Sequence, residues 1–161
     1  MIPPLELSLR DCVELLSGGV IGRVAMATPR GPRIVPVNYA VHQDAIVFRT
    51  TPYSEMSSHG WDTELAFEVD HLDHETHQGW SVVALGRARV VDDTEEIADI
   101  RATWEPRPWA GGSRNLYVKL SWHTLTGRRI GQDWSPTTLQ PYPCALGPTR
   151  VPPQRAAVRE R

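Results

Sequence analysis

The amino-acid sequence predicts a mainly β protein: a small closed or half-closed barrel of six strands with short flanking helices. Three observations carry this expectation. Strand-forming residues fill six separate segments between residues 20 and 122. Gly, Pro, Asn and Asp punctuate them at hairpin spacing. Most gaps between segments are too short for the crossover helix that parallel strands require.

In chain order, Ser8 caps a first helix that runs through Leu16, with Cys12, Val13, Leu15 and Leu16 apolar and Gly18 as its stop. Asp11 stands at the capping-box position, where Glu or Gln is the usual residue. Residues 20–27 form the first strand, bounded by Gly18-Gly19 and by the turn residues of 29–32. Residues 33–41 form the second. Pro36 inside it has no N–H for a ladder, so this strand carries a bulge or runs at an edge there. Gln43-Asp44 is a tight turn into the third strand, 45–50. Residues 54–60 hold one helical turn. The fourth strand, 63–70, alternates, with Leu65, Phe67 and Val69 on one face. The fifth, 79–91, is the longest, and its interior Gly86 marks a bend. Residues 94–104 form a second helix, with Ile97, Ile100 and Trp104 spaced three and four apart. The sixth strand is 116–122. Beyond Ser135 the density of proline removes regular structure and predicts an extended or disordered arm. The expected division is a domain over 1–134 and a Pro-rich tail over 135–161.

The chain has 161 residues, one domain by length, and 40% hydrophobic residues are enough for a core. Its 17 basic and 19 acidic residues leave a net charge of −2, which argues against nucleic acid as a partner. Two distant cysteines, Cys12 and Cys144, form no CxxC and build no disulfide framework. No apolar run approaches the ~20 residues of a membrane span. Met-Ile-Pro-Pro-Leu-Glu has no secretory n-region and h-region. The expectation is a soluble cytoplasmic protein with no membrane partner.

His71, His74 and His77 sit three apart and on a helix could share a metal. The segment follows a strand and contains Asp73, Thr76 and Gly79, so it reads as a solvated connector with no metal. No P-loop, GxGxxG or GxSxG elbow is present. Gly111-Gly112-Ser113-Arg114 reads as a flexible loop or as a phosphate-binding run. Six tryptophans beside two phenylalanines exceed what a core needs; they fill core and dimer contacts or face a planar ligand.

Several segments in order match a known family: Gly22-Arg23-Val-Ala, Pro36-Val-Asn-Tyr39, Ile46-Val-Phe-Arg-Thr50, Ala66-Phe-Glu-Val-Asp70, Gly79-Trp-Ser-Val82 with Gly86-Arg-Ala88, Pro108-Trp-Ala110 and Thr126-Gly-Arg-Arg-Ile130. Over about residues 8–130 the chain resembles the pyridoxamine 5′-phosphate oxidase-like flavoproteins, in particular their small actinobacterial and nitroimidazole-reductase-like branch. The resemblance implies an FMN-binding split barrel of six strands and a homodimer with ligand sites at the subunit interface. It implies that Arg33, Val35, Pro36, Val37 and Asn38 run along the flavin ring and offer main-chain groups. Arg49, Thr50 and Ser54 fall near the ribityl-phosphate. Trp80 and Ser81 reach the ring from the fifth strand. Trp109 covers the ring or substrate slot from the partner subunit, and Arg128 is a further binding candidate.

In one respect the sequence departs from this family. A lysine usually follows the serine after the third strand, and here Glu55 follows Ser54. Like charges about 4 Å apart repel by about 4 kcal/mol at an effective dielectric near 20. Arg33, Arg49 or a partner arginine would offset this, or the ligand is a deazaflavin or haem, or no cofactor binds. Asn38 stands where the vitamin B6 oxidase has a lysine, which argues against that substrate. The reading is therefore an FMN-dependent oxidoreductase acting on a small organic molecule. No catalytic acid or base is assigned, because the protein's part is to position the flavin and exclude water. Its rivals are a non-catalytic binder of a planar ligand, and a cofactor-free enzyme using His42, His59 or Glu55.

Overall fold

A computed structural model describes residues 5–52, 54, 56 and 63–131. Its elements are β1 (Leu5–Glu6), α1 (Leu9–Gly18), β2 (Ile21–Thr28), β3 (Gly31–His42), β4 (Ala45–Thr50), β5 (Glu64–Asp73), β6 (Gln78–Val91), α2 (Thr94–Trp104) and β7 (Leu116–Ile130). All pairings are antiparallel. The strands run in the order β1-β7-β4-β3-β2-β5-β6, and a further β6–β7 pairing closes β2 to β7 into a six-stranded barrel with β1 on the outside of β7. Among the described residues no helix is long and apolar enough to cross a membrane.

The expected six strands are present, and β5 and β7 run further than their apolar patterns indicate. β5 continues through His71 to Asp73, and β7 continues past Trp122 to Ile130. In both extensions, His123 at the bulge excepted, the backbone pairs with β6, so ladder hydrogen bonds hold polar residues that alternation alone reads as connector. The 71–77 segment is thus a correction: only His74 to His77 form the turn.

Local chemistry sets the joints. Ser8 Oγ accepts from the Asp11 N–H at 3.2 Å and donates to the Asp11 carboxylate at 2.7 Å, which starts α1. Gln43 and Asp44 both have positive φ, the left-handed pair of a two-residue hairpin turn. At Leu85/Gly86 the β6–β7 register slips, and a side chain at Gly86 would run into the Ser121 carbonyl. The bend expected at Gly86 is therefore a bulge imposed by close backbone approach.

Inside the barrel lie Val24, Phe48, Leu65, Phe67, Val82 and Leu120, with α1 closing one end through Cys12, Leu15 and Leu16. The Tyr39 hydroxyl donates to the Leu16 carbonyl at 2.6 Å, and its ring packs edge-on against Phe67 at 4.7 Å. Burial drives the Tyr39 hydroxyl's pKa well above its ordinary value. β4 is buried on both faces, since Val47 points outward beneath Ile100 of α2 with Val91 and Tyr117. That explains its unbroken apolar run.

β3 changes partner along its length. Residues up to Asn38 pair with β2, and Tyr39 to His42 pair with β4. Pro36 lies in the stretch that β4 leaves uncovered, so the edge position expected from its missing N–H is the one observed.

Candidate functional site

β3 and β4 part where their pairing ends at Tyr39 and Phe48, and a cavity of about 400 Å³ opens in the gap. Val35, Pro36, Val37 and Asn38 form one wall. Phe48, Arg49 and Thr50 form another, continued by Ser54 and Met56. Pro108, Ala110 and Arg114, from the connection between α2 and β7, complete it. Of the residues predicted to bind ligand, the structure brings Val35, Pro36, Val37, Asn38, Arg49, Thr50 and Ser54 to this one cleft.

The walls are apolar and the polar groups are few and held. Arg49 is largely buried: its Nε donates to the Arg114 carbonyl at 2.8 Å and its Nη1 to Glu105 at 3.1 Å. Its guanidinium lies 5.1 Å from the Tyr117 ring centroid. The hydroxyls of Thr50 and Ser54 are 2.9 Å apart. The Trp109 N–H donates to Asn38 Oδ1 at 2.9 Å, tying the α2–β7 connection to β3. Asn38 Nδ2 and Arg114 Nε are buried without a hydrogen-bond partner. Native interiors rarely leave such donors unmet.

The remaining predicted residues sit elsewhere. Arg33 is exposed on the β2–β3 hairpin and does not line the cleft. Trp80 is a 2% exposed core residue whose edge lines a second, smaller hollow with Leu72, Ser81, Arg128 and Ile130. Ser81 and Arg128 are cross-strand partners on β6 and β7, and both also line a shallow cavity of about 480 Å³. Trp109 sits between two lining residues of its own chain's cleft, with its side chain 67% exposed. Glu55, His59, Trp61, Trp134 and the boundary at 134/135 lie outside the described residues.

Phe48, Met56, Pro108, Ala110 and Arg114 join the cleft without having been picked as site residues. Arg114 belongs to the Gly-rich run read as loop or phosphate-binding segment, two residues after Gly112 with its positive φ. The Gly-rich run is its only local signal; its bond to Arg49 of β4 arises only through the fold.

Elsewhere, the Thr76 hydroxyl and the N–H groups of Glu75 and Thr76 hold the Asp73 carboxyl below its usual pKa, which shapes the histidine-bearing turn. Among the described residues no three His, Cys, Asp or Glu side chains gather as metal ligands. His42 is buried, 3.7 Å from Asp99, on the strand end away from the cleft residues.

A closed antiparallel barrel that parts at one seam over an apolar, arginine-bearing cleft is a split barrel. More particularly, the chain belongs to the pyridoxamine 5′-phosphate oxidase family, whose sequence model matches residues 8–129. It is 31% identical over 134 residues to an uncharacterized protein of Mycobacterium tuberculosis, Rv0080, covering 80% of this chain and 87% of that one. A solved FAD-binding protein from Mycobacterium smegmatis is 29% identical, with a TM-score of 0.65 over 78% of this chain and 97% of its own. A conserved protein of unknown function from Corynebacterium diphtheriae is also 29% identical, with a TM-score of 0.66 over 80% and 99%. The fold is that of the FMN-binding split barrels.

Proposed function

We propose that this protein binds a flavin nucleotide in the β3–β4 cleft and acts, as a cytoplasmic homodimer, as a flavin-dependent oxidoreductase on a small organic substrate. The observation that carries the reading is the pair of buried, unmet donors, Asn38 Nδ2 and Arg114 Nε, on a cleft with apolar walls. A flavin presents an apolar ring system, carbonyl acceptors and an anionic phosphate, so the donor set fits it. Asn38 would donate to a ring acceptor. Val35, Val37, Phe48 and Met56 would cover the ring and keep water away. Thr50 and Ser54 would face the phosphate, at the end of the cleft that carries Arg49 and Arg114.

A bound flavin supplies hydride exchange with substrate and electron donor. The protein's own part is binding, orientation and exclusion of water. No His, Asp or Glu is among the described residues lining the cleft. A second reading is a carrier or binder of flavin with no turnover of its own. FMN is the proposed ligand, and FAD is the competitor on account of the Mycobacterium smegmatis protein.

Support for the homodimer comes from a surface on β5, β6 and β7. Leu72 and Ile130 are 52% and 42% exposed beside Ser81 and Arg128, an apolar surface that a second copy would cover. Titrating the purified full chain with FMN and FAD, followed by sedimentation, tests both points. One flavin per chain on a species of twice 18.0 kDa is expected. Saturated protein that oxidises no nicotinamide with any nitro or enone acceptor would favour the carrier reading.

A further inference from the structure

After the third strand this chain carries Glu55 behind Ser54 and no lysine. Its cleft nevertheless holds two guanidinium groups, and they stand in different electrostatic situations. Arg49 is compensated. Its Nη1 donates to Glu105, whose same oxygen accepts from the Tyr117 hydroxyl at 2.7 Å and lies 3.7 Å from Arg101. Arg49 Nε is spent on the Arg114 carbonyl. Arg114 has no carboxylate partner among the described residues, and its Nε is buried with no acceptor. A buried guanidinium N–H without an acceptor is costly, because it has given up water and gained nothing. Arginine cannot escape by losing its proton. An anionic ligand in the cleft would meet both its charge and its orphaned donor, as a phosphate does for an arginine fork.

We propose that Arg114 is the phosphate-recognition residue of this cleft: the uncompensated guanidinium that grips the phosphate of a bound flavin, in the place of the missing lysine. The assignment rests on the flavin reading above. Arg49 then serves as a positioning residue, because its bond to the Arg114 carbonyl fixes the backbone from which Arg114 reaches in. The phosphate chemistry is common to FMN and to the diphosphate of FAD, and riboflavin lacks it.

The test is fluorescence titration of the full chain, as wild type, Arg114→Gln and Arg114→Lys, with FMN, FAD and riboflavin at low and high salt. Wild type should bind the tighter of FMN and FAD at least about ten-fold more strongly than riboflavin. Arg114→Gln should abolish that preference while keeping riboflavin affinity, and Arg114→Lys should retain most of it. The preference should shrink at high salt. Apo Arg114→Gln should melt no lower than wild type, since it loses a charge that has no partner. Arg114→Gln that discriminates as wild type does, or that loses riboflavin and FMN equally, overturns the assignment of Arg114. Wild type that binds riboflavin as tightly as the nucleotides also overturns it, and leaves the flavin reading standing. Wild type that binds none of the three overturns both.

Discussion

Asn38 and Trp109, 71 positions apart in sequence, are joined at the cleft: the Trp109 backbone N–H donates to the Asn38 side-chain oxygen at 2.9 Å. The same amide leaves its nitrogen buried and unmet. One side chain therefore anchors the α2–β7 connection, and under the proposed function its nitrogen would donate to the flavin. Asn38→Ala should expose the Trp109 amide to rapid hydrogen exchange and weaken flavin binding about ten-fold, for the loss of roughly 1–2 kcal/mol of hydrogen bonding. Unchanged exchange at Trp109 would show that another contact holds the connection.

The Tyr117 hydroxyl donates to Glu105 at 2.7 Å and accepts from Arg101 at 3.0 Å. Its ring is buried under α2. Tyr117→Phe keeps the packing and removes both bonds, so urea unfolding should show a loss of about 1–2 kcal/mol with an unchanged slope. It should also loosen Glu105, and with it Arg49.

Glu96 joins α2 to the sheet. It takes two 2.7 Å bonds from Arg89 and a 2.8 Å bond from the buried Lys119. The Arg89 hydrogen bonds first, then Lys119, lower its pKa to about 2. A carboxylate depressed in the folded state stabilises above its unfolded pKa, and the contribution is lost as pH falls through the folded value. Stability should therefore fall between about pH 4.5 and about pH 2 on account of Glu96. The contribution is on the order of 1 kcal/mol after solvent screening. Glu96→Gln should remove that part of the acid dependence, which melting curves over this range would measure.

At the β6–β7 bulge, Gly86→Ala would place a methyl group against the Ser121 carbonyl and backbone. Strands paired on both sides cannot yield there cheaply. The expected cost is about 2 kcal/mol, read as a lower urea midpoint. A variant as stable as wild type would mean that the bulge relaxes.

Much of the barrel was written locally. The alternation of Leu65, Phe67 and Val69 matches their burial, and the Gln43-Asp44 turn, the Ser8 cap and the second helix stand where their chemistry placed them. The far ends of β5 and β7 were not visible, because His71 to Asp73 and Thr124 to Arg129 are held by ladder bonds to β6 and carry little apolar pattern. The site divides in the same way. Residues near one another on β3 and β4 could be picked from the strand sequence and the family resemblance. Arg114 comes from a loop that reaches the cleft only after α2 docks on Val47 and Tyr117, and no short-range pattern announces that.

The central claim is that the cleft between β3 and β4 receives a flavin nucleotide. The most direct measurement is the visible absorption spectrum of the full chain titrated with FMN. The account predicts a perturbed flavin band that saturates at one FMN per chain and is weakened in Asn38→Ala. A spectrum that stays that of free FMN at every ratio, with FAD giving the same result, would contradict it.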